Sequence, residues 1–261
     1  MKTANLLLPL AVFILQAGAA RAGDPLSGAV KDLGRIAAAP ARMDSADFYQ
    51  AAGIVGAGLA LYSLDGQIRH LAFKNRTKTL DDVSKQAEKL GNGGYDLAIA
   101  GAGALAGHLF ADQKLERTSL LAAESFLAAN AVGTVSKFAI GRSRPYAGDG
   151  KKMFRPFSTK TARTAMPSGH TVSAFSVASV YAYSYGGSSA AGITAYGLAG
   201  LVALQRVYGD KHWASDAFFG AALGTAVGRL VAAKAAAPAK ALTLLPAYSG
   251  NYSGLTAAYR F

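Results

Sequence analysis

The chain has 261 residues, of which 51% are hydrophobic and 16% are charged, so it is long and apolar enough to form one sizeable core. It contains no cysteine, which excludes disulfide bonds and thiolate metal sites. The formal net charge is +12, but no nucleic-acid-binding motif and no long Lys/Arg run accompanies it. The charge therefore favours an anionic lipid or a small anion over nucleic acid as a partner.

The first 22 residues predict a secretory signal peptide. Lys2 is followed by an apolar stretch over 6–15 and then by Ala20-Arg21-Ala22, which is typical of a cleavage site. An uncleaved membrane anchor is the alternative, but the apolar stretch is shorter than the roughly 20 residues that a span needs. The mature protein is therefore expected in a bacterial periplasm or cell envelope, either free or associated with the membrane.

The body of the chain predicts an all-α fold, a bundle of about six helices. Residues 23–46 are mixed in composition and are expected to form a loosely held N-terminal lead-in. The helical domain is expected over 47–240, with a basic polar linker at 65–94 that ends in the chain-breaking sequence Gly-Asn-Gly-Gly. The apolar, helix-compatible segments are 48–64, 97–111, 118–140, 171–185, 190–207 and 214–234.

The tail at 241–261 has a different pattern from the body. It contains two strand-like runs around a Ser-Gly-Asn turn, which predicts a short C-terminal β-hairpin packed on the helices. Its alternating last residues also resemble the closing strand of an outer-membrane barrel, although one hairpin cannot form a barrel. Most of the helical segments are shorter than the roughly 17–25 residues of a span or carry a charge, which favours core helices of a globular or peripheral protein.

Three polar clusters interrupt the apolar body, each at the end of a predicted helix. Helix ends that point the same way can meet on one side of a bundle, so the three clusters are expected to lie close together. They are Lys137-x6-Arg144-Pro145, Pro167-Ser168-Gly169-His170 and Arg206-x5-His212-x3-Asp216.

The residue types in these clusters suit a phosphoryl group. Lys and Arg supply fixed positive charge and N–H donors, and an Arg side chain binds two oxygens at once. Ser168 adds a hydroxyl, and Gly169 adds a backbone N–H at a helix N-terminus, where the helix dipole favours an anion.

Two histidines have the spacing for covalent catalysis. Asp216 follows His212 by four residues, so on a helix the two share a face, and a carboxylate bonded to one ring nitrogen leaves the other free. This spacing makes His212 a candidate nucleophile. His170 is a candidate proton donor to the leaving oxygen.

The clusters resemble the K-x6-R-P, P-S-G-H and S-R-x5-H-x3-D signatures of the type-2 phosphatidic acid phosphatase superfamily. That superfamily includes bacterial acid phosphatases, lipid phosphate phosphatases and vanadium haloperoxidases. One departure is Gln205, which stands where the family often has Ser. The resemblance implies a metal-independent and cofactor-free phosphomonoester hydrolase. In the mechanism that the resemblance implies, His212 forms a phosphohistidine, Asp216 orients His212, and His170 protonates the leaving group. The phosphoryl oxygens are held by Lys137, Arg144, Ser168, Gly169 and Arg206.

Two other functions remain open from the sequence. One is a vanadium-dependent haloperoxidase, which would hold vanadate in the same pocket, although such enzymes are usually much larger. The other is a non-catalytic envelope protein that keeps only the anion-binding pocket. If the protein is a phosphatase, the sequence leaves two substrate classes. The apolar helices and the basic charge suit lipid phosphates or pyrophosphates, whereas the short helices suit small soluble phosphomonoesters.

Overall fold

The computed structural model describes residues 24–90, 92–236, 241–249 and 252–260. Within these residues the chain is predominantly helical, which confirms the predicted all-α class. The predicted signal peptide lies outside the described residues. The eight α-helices of the described part are α1 (Pro25–Ala38), α2 (Ser45–Lys74), α3 (Lys78–Leu90), α4 (Gly93–Leu109), α5 (Gln113–Ile140), α6 (Gly169–Tyr185), α7 (Ala190–Tyr208) and α8 (Ala214–Ala236).

Helix α1 falls where the sequence predicts a loosely held lead-in, and the structure corrects that prediction. The Asp24 carboxylate accepts hydrogen bonds from the Leu26 and Ser27 amides, so the first turn is capped. Ala29 is buried in a core cluster with Ala128 of α5. Helix α1 is amphipathic, so its apolar periodicity is a signal for a helix that the mixed composition of this segment conceals.

The polar linker predicted at 65–94 is also mostly helical. Helix α2 continues to Lys74, and α3 occupies most of the remainder. The Tyr208 hydroxyl at the end of α7 donates to Asp81 of α3 at 2.8 Å. Helix α3 is polar on average but strongly amphipathic, so its composition suggests a linker while its periodicity indicates a helix. The prediction from composition therefore has six helices, and eight are present among the described residues.

Helices α6 and α8 pack closely because α8 presents glycine to α6 at every fourth position. A Cβ at Gly220, Gly224 or Gly228 would lie 2.8, 2.5 and 2.5 Å from the carbonyl oxygens of Ser168, Val172 and Ser176, respectively. Residues four apart share one face of a helix, so the glycines form a continuous line of close contact. The contact places the start of α8 directly beside the start of α6.

The loop between α5 and α6 returns over the same end of the bundle. Helix α5 stops at Gly141, whose φ of +62° is left-handed and suits glycine. A Cβ there would collide with the carbonyl oxygen of Arg155. The loop is then held by backbone hydrogen bonds; for example, the Ala165 N–H donates to the Arg142 carbonyl oxygen at 3.0 Å. Residues 142–168 therefore lie next to the ends of α5 and α6.

Two helices, α7 and α8, are long and apolar enough to cross a membrane by length and composition, a criterion that core helices of soluble proteins also meet. Many large apolar side chains of α2 and α7 are exposed, among them Phe48, Leu59 and Leu204. In the tail, strands β1 (Ala241–Ser249) and β2 (Tyr252–Arg260) pair in antiparallel orientation. The packing of this tail on the helices stays a prediction.

Candidate active site

The predicted site residues lie at one end of the bundle. Lys137 is in the last turn of α5, Arg144 is in the loop, and Ser168, Gly169 and His170 open α6. Arg206 is in the last turn of α7, and His212 lies two residues before the start of α8. Lys137 and Arg144 both donate to Thr164, and His212 contacts the adjacent Ala165, so the loop before α6 connects the clusters. The positive charges of Lys137, Arg144 and Arg206 all lower the pKa of His212. The structure therefore brings the three sequence clusters together.

His212 is buried, and its tautomer follows from one contact. Its Nδ1 lies 2.6 Å from the carbonyl oxygen of Ala165. A carbonyl oxygen can only accept a hydrogen bond, so Nδ1 carries the proton and Nε2 keeps its lone pair. Burial and the neighbouring cations Lys137, Arg144 and Arg206 hold the pKa of His212 well below its usual value. The imidazole is thus neutral at pH 7 and has a free nucleophilic nitrogen.

The contact with Ala165 corrects the predicted role of Asp216. The nearest carboxylate oxygen of Asp216 is 3.9 Å from Nδ1 of His212, which is too long for a hydrogen bond. Oδ2 of Asp216 instead accepts from the backbone N–H of Trp213 at 2.9 Å. Asp216 therefore fixes the backbone next to His212, and the loop carbonyl of Ala165 orients the ring. The four-residue spacing alone could not reveal this competing acceptor.

Sequence reasoning missed the partners that hold Asp216. The fully buried Arg142 donates from Nη1 to Asp216 Oδ1 at 2.6 Å and from Nη2 to Asp65 Oδ2 at 2.7 Å. Ser215 joins the group, because its hydroxyl donates to Asp65 at 2.6 Å. In the sequence, Arg142 falls in the six-residue spacer of the first cluster, at a position that the pattern does not specify. The available signal for Asp65 is a lone acidic residue within the apolar part of α2.

The two arginines of the pocket each keep an unused donor. Arg144 Nη2 donates to the Thr164 hydroxyl at 3.1 Å, and Arg206 Nη1 donates to Glu88 at 3.0 Å. The Nε atoms of both arginines are buried without a hydrogen-bond partner among the described residues. A buried donor without an acceptor is costly, so both guanidinium groups are suited to bind the oxygens of an anion.

Lys137 lies against the start of α6. Its ammonium group donates to the carbonyl oxygens of Thr164, at 3.1 Å, and Pro167. A Cβ on Gly169 would be 3.7 Å from Nζ of Lys137, so the ammonium group lies close to the helix N-terminus. Burial, and next the charge of Arg144, lower the pKa of Lys137 to about 8.

Ser168 and His170 complete the pocket. Ser168 is fully buried, and its hydroxyl oxygen accepts from Thr171 at 3.0 Å, which leaves its own proton free for donation. Burial and the charge of Arg206 lower the pKa of His170 to about 4, against an opposing contribution from Glu88. His170 is therefore neutral in the empty site at pH 7. A bound phosphate dianion would offset the same cations and raise this pKa.

Comparisons with known proteins agree with this geometry. The profile of the PAP2 superfamily matches residues 118–237, which contain every predicted site residue. Over 184 residues the chain is 30% identical to a lipid A 1-phosphatase from Porphyromonas gingivalis. The match covers 68% of this chain and 36% of that protein, so the chain spans about a third of that relative's length. A crystal structure of a transmembrane PAP2-type phosphatidylglycerolphosphate phosphatase from Bacillus subtilis shares the fold. Its TM-score is 0.55 at 23% identity, covering 72% of this chain and 96% of that one. The three clusters assembled around His212 lie within residues 118–237, which match the PAP2 superfamily.

Proposed function

We propose that this protein is a phosphatase for phosphorylated lipids that works outside the cytoplasm through a phosphohistidine on His212, without a metal ion. The observation that carries the proposal is the locked tautomer of a neutral His212 beside three cations. A nucleophile with a free lone pair next to fixed positive charge is the arrangement that phosphoryl transfer needs.

The reaction would proceed in two steps. Nε2 of His212 attacks phosphorus, the bond to the leaving oxygen breaks, and His170 gives that oxygen a proton. Water then attacks the phosphohistidine, giving its proton to His170, and inorganic phosphate leaves. Lys137, Arg144 and Arg206 neutralise the phosphoryl oxygens throughout, and the Ser168 hydroxyl and the Gly169 amide add donors.

Three features support a lipid phosphate as substrate. The relative from Porphyromonas gingivalis is a phosphatase, and its name specifies a lipid as substrate. Large apolar side chains are exposed on α2 and α7, which suits contact with a lipid surface. The net charge of +12 favours an anionic surface.

The metal-free chemistry and the extracytoplasmic location rest on different grounds. The cations around His212 already neutralise a phosphoryl group and would repel a divalent ion, so EDTA is expected to leave turnover unchanged. The location rests on the signal peptide predicted over 1–22, and a mature N-terminus at Gly23 would support it.

The proposal is tested by His212→Ala and His170→Ala, with the exposed, remote His108→Ala as the matched control. We expect His212→Ala to abolish hydrolysis of both phosphatidic acid and p-nitrophenyl phosphate. His170→Ala should lose far more on the alkyl phosphate, whose leaving oxygen needs a proton, than on p-nitrophenyl phosphate. The wild type should also form an acid-labile, alkali-stable phosphoprotein that His212→Ala lacks. A folded His212→Ala protein with near-native turnover would refute the mechanism.

A further inference from the structure

A small cavity lies between α4, α6 and α7. Its volume is about 120 Å³, and its walls are aliphatic side chains, the ring of Tyr181 and one carboxyl group, Asp96. The polar end of Tyr181 is already used, because its hydroxyl lies 2.9 Å from the Ser119 hydroxyl. Asp96 is therefore the polar group that the cavity offers to a ligand.

The cavity begins one helical turn from the pocket around His212 that is formed by the three sequence clusters, here called the phosphoryl pocket. On α6 its first wall residue is Ala174, four residues after His170; on α7 it is Val202, four residues before Arg206. The walls continue to Tyr181 and Ala195, seven residues further along each helix. At 1.5 Å per residue the cavity thus extends for about 10 Å along the bundle, away from the phosphoryl pocket. A molecule held by its phosphate has this space directly beside it.

Asp96 forms part of the wall of this space, and its carboxyl group has one unsatisfied oxygen. The residue is 4% exposed, and its Oδ2 has no hydrogen-bond partner among the described residues. Burial raises the pKa of Asp96 to about 8, so the carboxyl group is protonated at pH 7 and can donate a hydrogen bond. A buried donor without a partner is unfavourable, and an uncharged acceptor on a ligand would relieve that cost.

The level of Asp96 along the bundle follows from its neighbours. Helix α4 is antiparallel to α5, since Gly93 lies against Phe126 and Gly107 lies against Glu116. Ala100, one turn beyond Asp96, packs in one cluster with Val180 of α6. Asp96 therefore lies about one turn nearer to the phosphoryl pocket than Val180, which places it about 10 Å from His170 along the axis.

We propose that this cavity is a subsite for the first part of an acyl chain of the substrate, and that the Asp96 carboxyl group donates a hydrogen bond to the carbonyl oxygen of that chain. The aliphatic walls exclude a charged occupant, and the single buried donor selects for an uncharged acceptor. Asp96 thereby makes the enzyme prefer acyl lipids to ether lipids of the same length. The inference rests on the proposed function for the identity of the substrate.

The test compares dioctanoylglycerol phosphate with its dioctyl ether analogue, which differs only in lacking the carbonyl oxygens. The variants are Asp96→Leu, which removes the donor, and Asp96→Asn, which keeps one. In the wild type we expect kcat/KM to favour the ester by about tenfold, the value of one hydrogen bond of roughly 1.4 kcal/mol. Asp96→Leu should bring the ratio close to one, and Asp96→Asn should retain most of the preference.

Two further measurements distinguish an acyl subsite from a purely structural role of Asp96. All three proteins should hydrolyse p-nitrophenyl phosphate equally, because that substrate has no acyl chain; an equal loss on every substrate would show a structural role and overturn the proposal. The dissociation constants of both lipids are also measured on His212→Ala protein, with and without Asp96→Leu. The His212→Ala protein should bind the ester more tightly than the ether. Because this measurement needs no turnover, it tests the subsite even if the proposed phosphatase function is wrong. The subsite would be refuted if the His212→Ala protein bound the ester and the ether equally well. It would also be refuted if adding Asp96→Leu left the ester preference unchanged.

Discussion

At the scale of single residues, charge in the pocket is balanced by a carboxylate from outside the three sequence clusters. Glu88 of α3 accepts from Arg206 at 3.0 Å, and its own side chain is 48% exposed. The buried guanidinium is thus neutralised while no phosphate is present. An incoming phosphoryl group must compete with Glu88 for Arg206.

We expect Glu88→Gln to tighten the binding of inorganic phosphate, because the substitution removes the competing charge. Since Glu88 is half-exposed, solvent screens the effect and the inhibition constant for phosphate should fall by only about two- to fivefold. The matched control is Asp82→Asn on the same helix, which breaks only an exposed pair with Lys85. An inhibition constant that is unchanged or raised in Glu88→Gln would show that Glu88 does not compete with phosphate.

Lys137 gives the pocket a pH dependence in the alkaline range. With a pKa of about 8 it is charged below that pH and loses its charge above it. The profile of kcat/KM reports groups of the free enzyme, so kcat/KM should fall with a midpoint at about pH 8. The second ionisation of the substrate phosphate, with a pKa of about 6, lies below this range. Lys137→Met should be slower at pH 6.5 and should lack the alkaline decline; the same midpoint in that variant would assign it to another group.

At the scale of helices, the pocket depends on the close packing of α6 and α8. The line of glycines on α8 lets the backbone of α6 approach, and the approach fixes Ser168, Gly169 and His170 beside His212. The buried Arg142 connects α8 to α2 by binding both Asp216 and Asp65. Breaking a buried ion pair from one side typically costs about 3–5 kcal/mol, so this connection is sensitive to substitution.

Gly224→Ala is expected to separate α6 from α8. The added methyl group would lie 2.5 Å from the Val172 carbonyl oxygen, and overpacking of this kind costs about 1–3 kcal/mol. The melting temperature and kcat should both fall. The control is Gly200→Ala on α7, where nothing lies within 4 Å of the new methyl group. That variant should gain about 0.5–1 kcal/mol through helix propensity. A Gly224→Ala protein as stable as the wild type would show that the contact can relax.

At the scale of the whole molecule, exposed apolar side chains and a positive net charge point to a membrane surface. The N-terminal part of α2 exposes Phe48, Tyr49 and Leu59 by 63%, 73% and 61%. Changing all three to Ser should move the protein from the membrane fraction to the soluble fraction. Because none of the three contacts the pocket, hydrolysis of p-nitrophenyl phosphate should persist. A triple variant that remains wholly with the membranes would refute a role for this face.

The sequence by itself determined the helical class, the three polar clusters and their chemical suitability for phosphate. It could do so because helix periodicity and the spacing of site residues are local properties. Composition alone did not reveal α1 or α3, although both are amphipathic, because each is mixed or polar on average. The acceptor on the Nδ1 of His212, the ion pairs of Arg142 and the approach of Glu88 to Arg206 were decided only by the tertiary structure. Each of these joins residues between 47 and 118 positions apart, and such distant contacts arise from packing and not from local pattern.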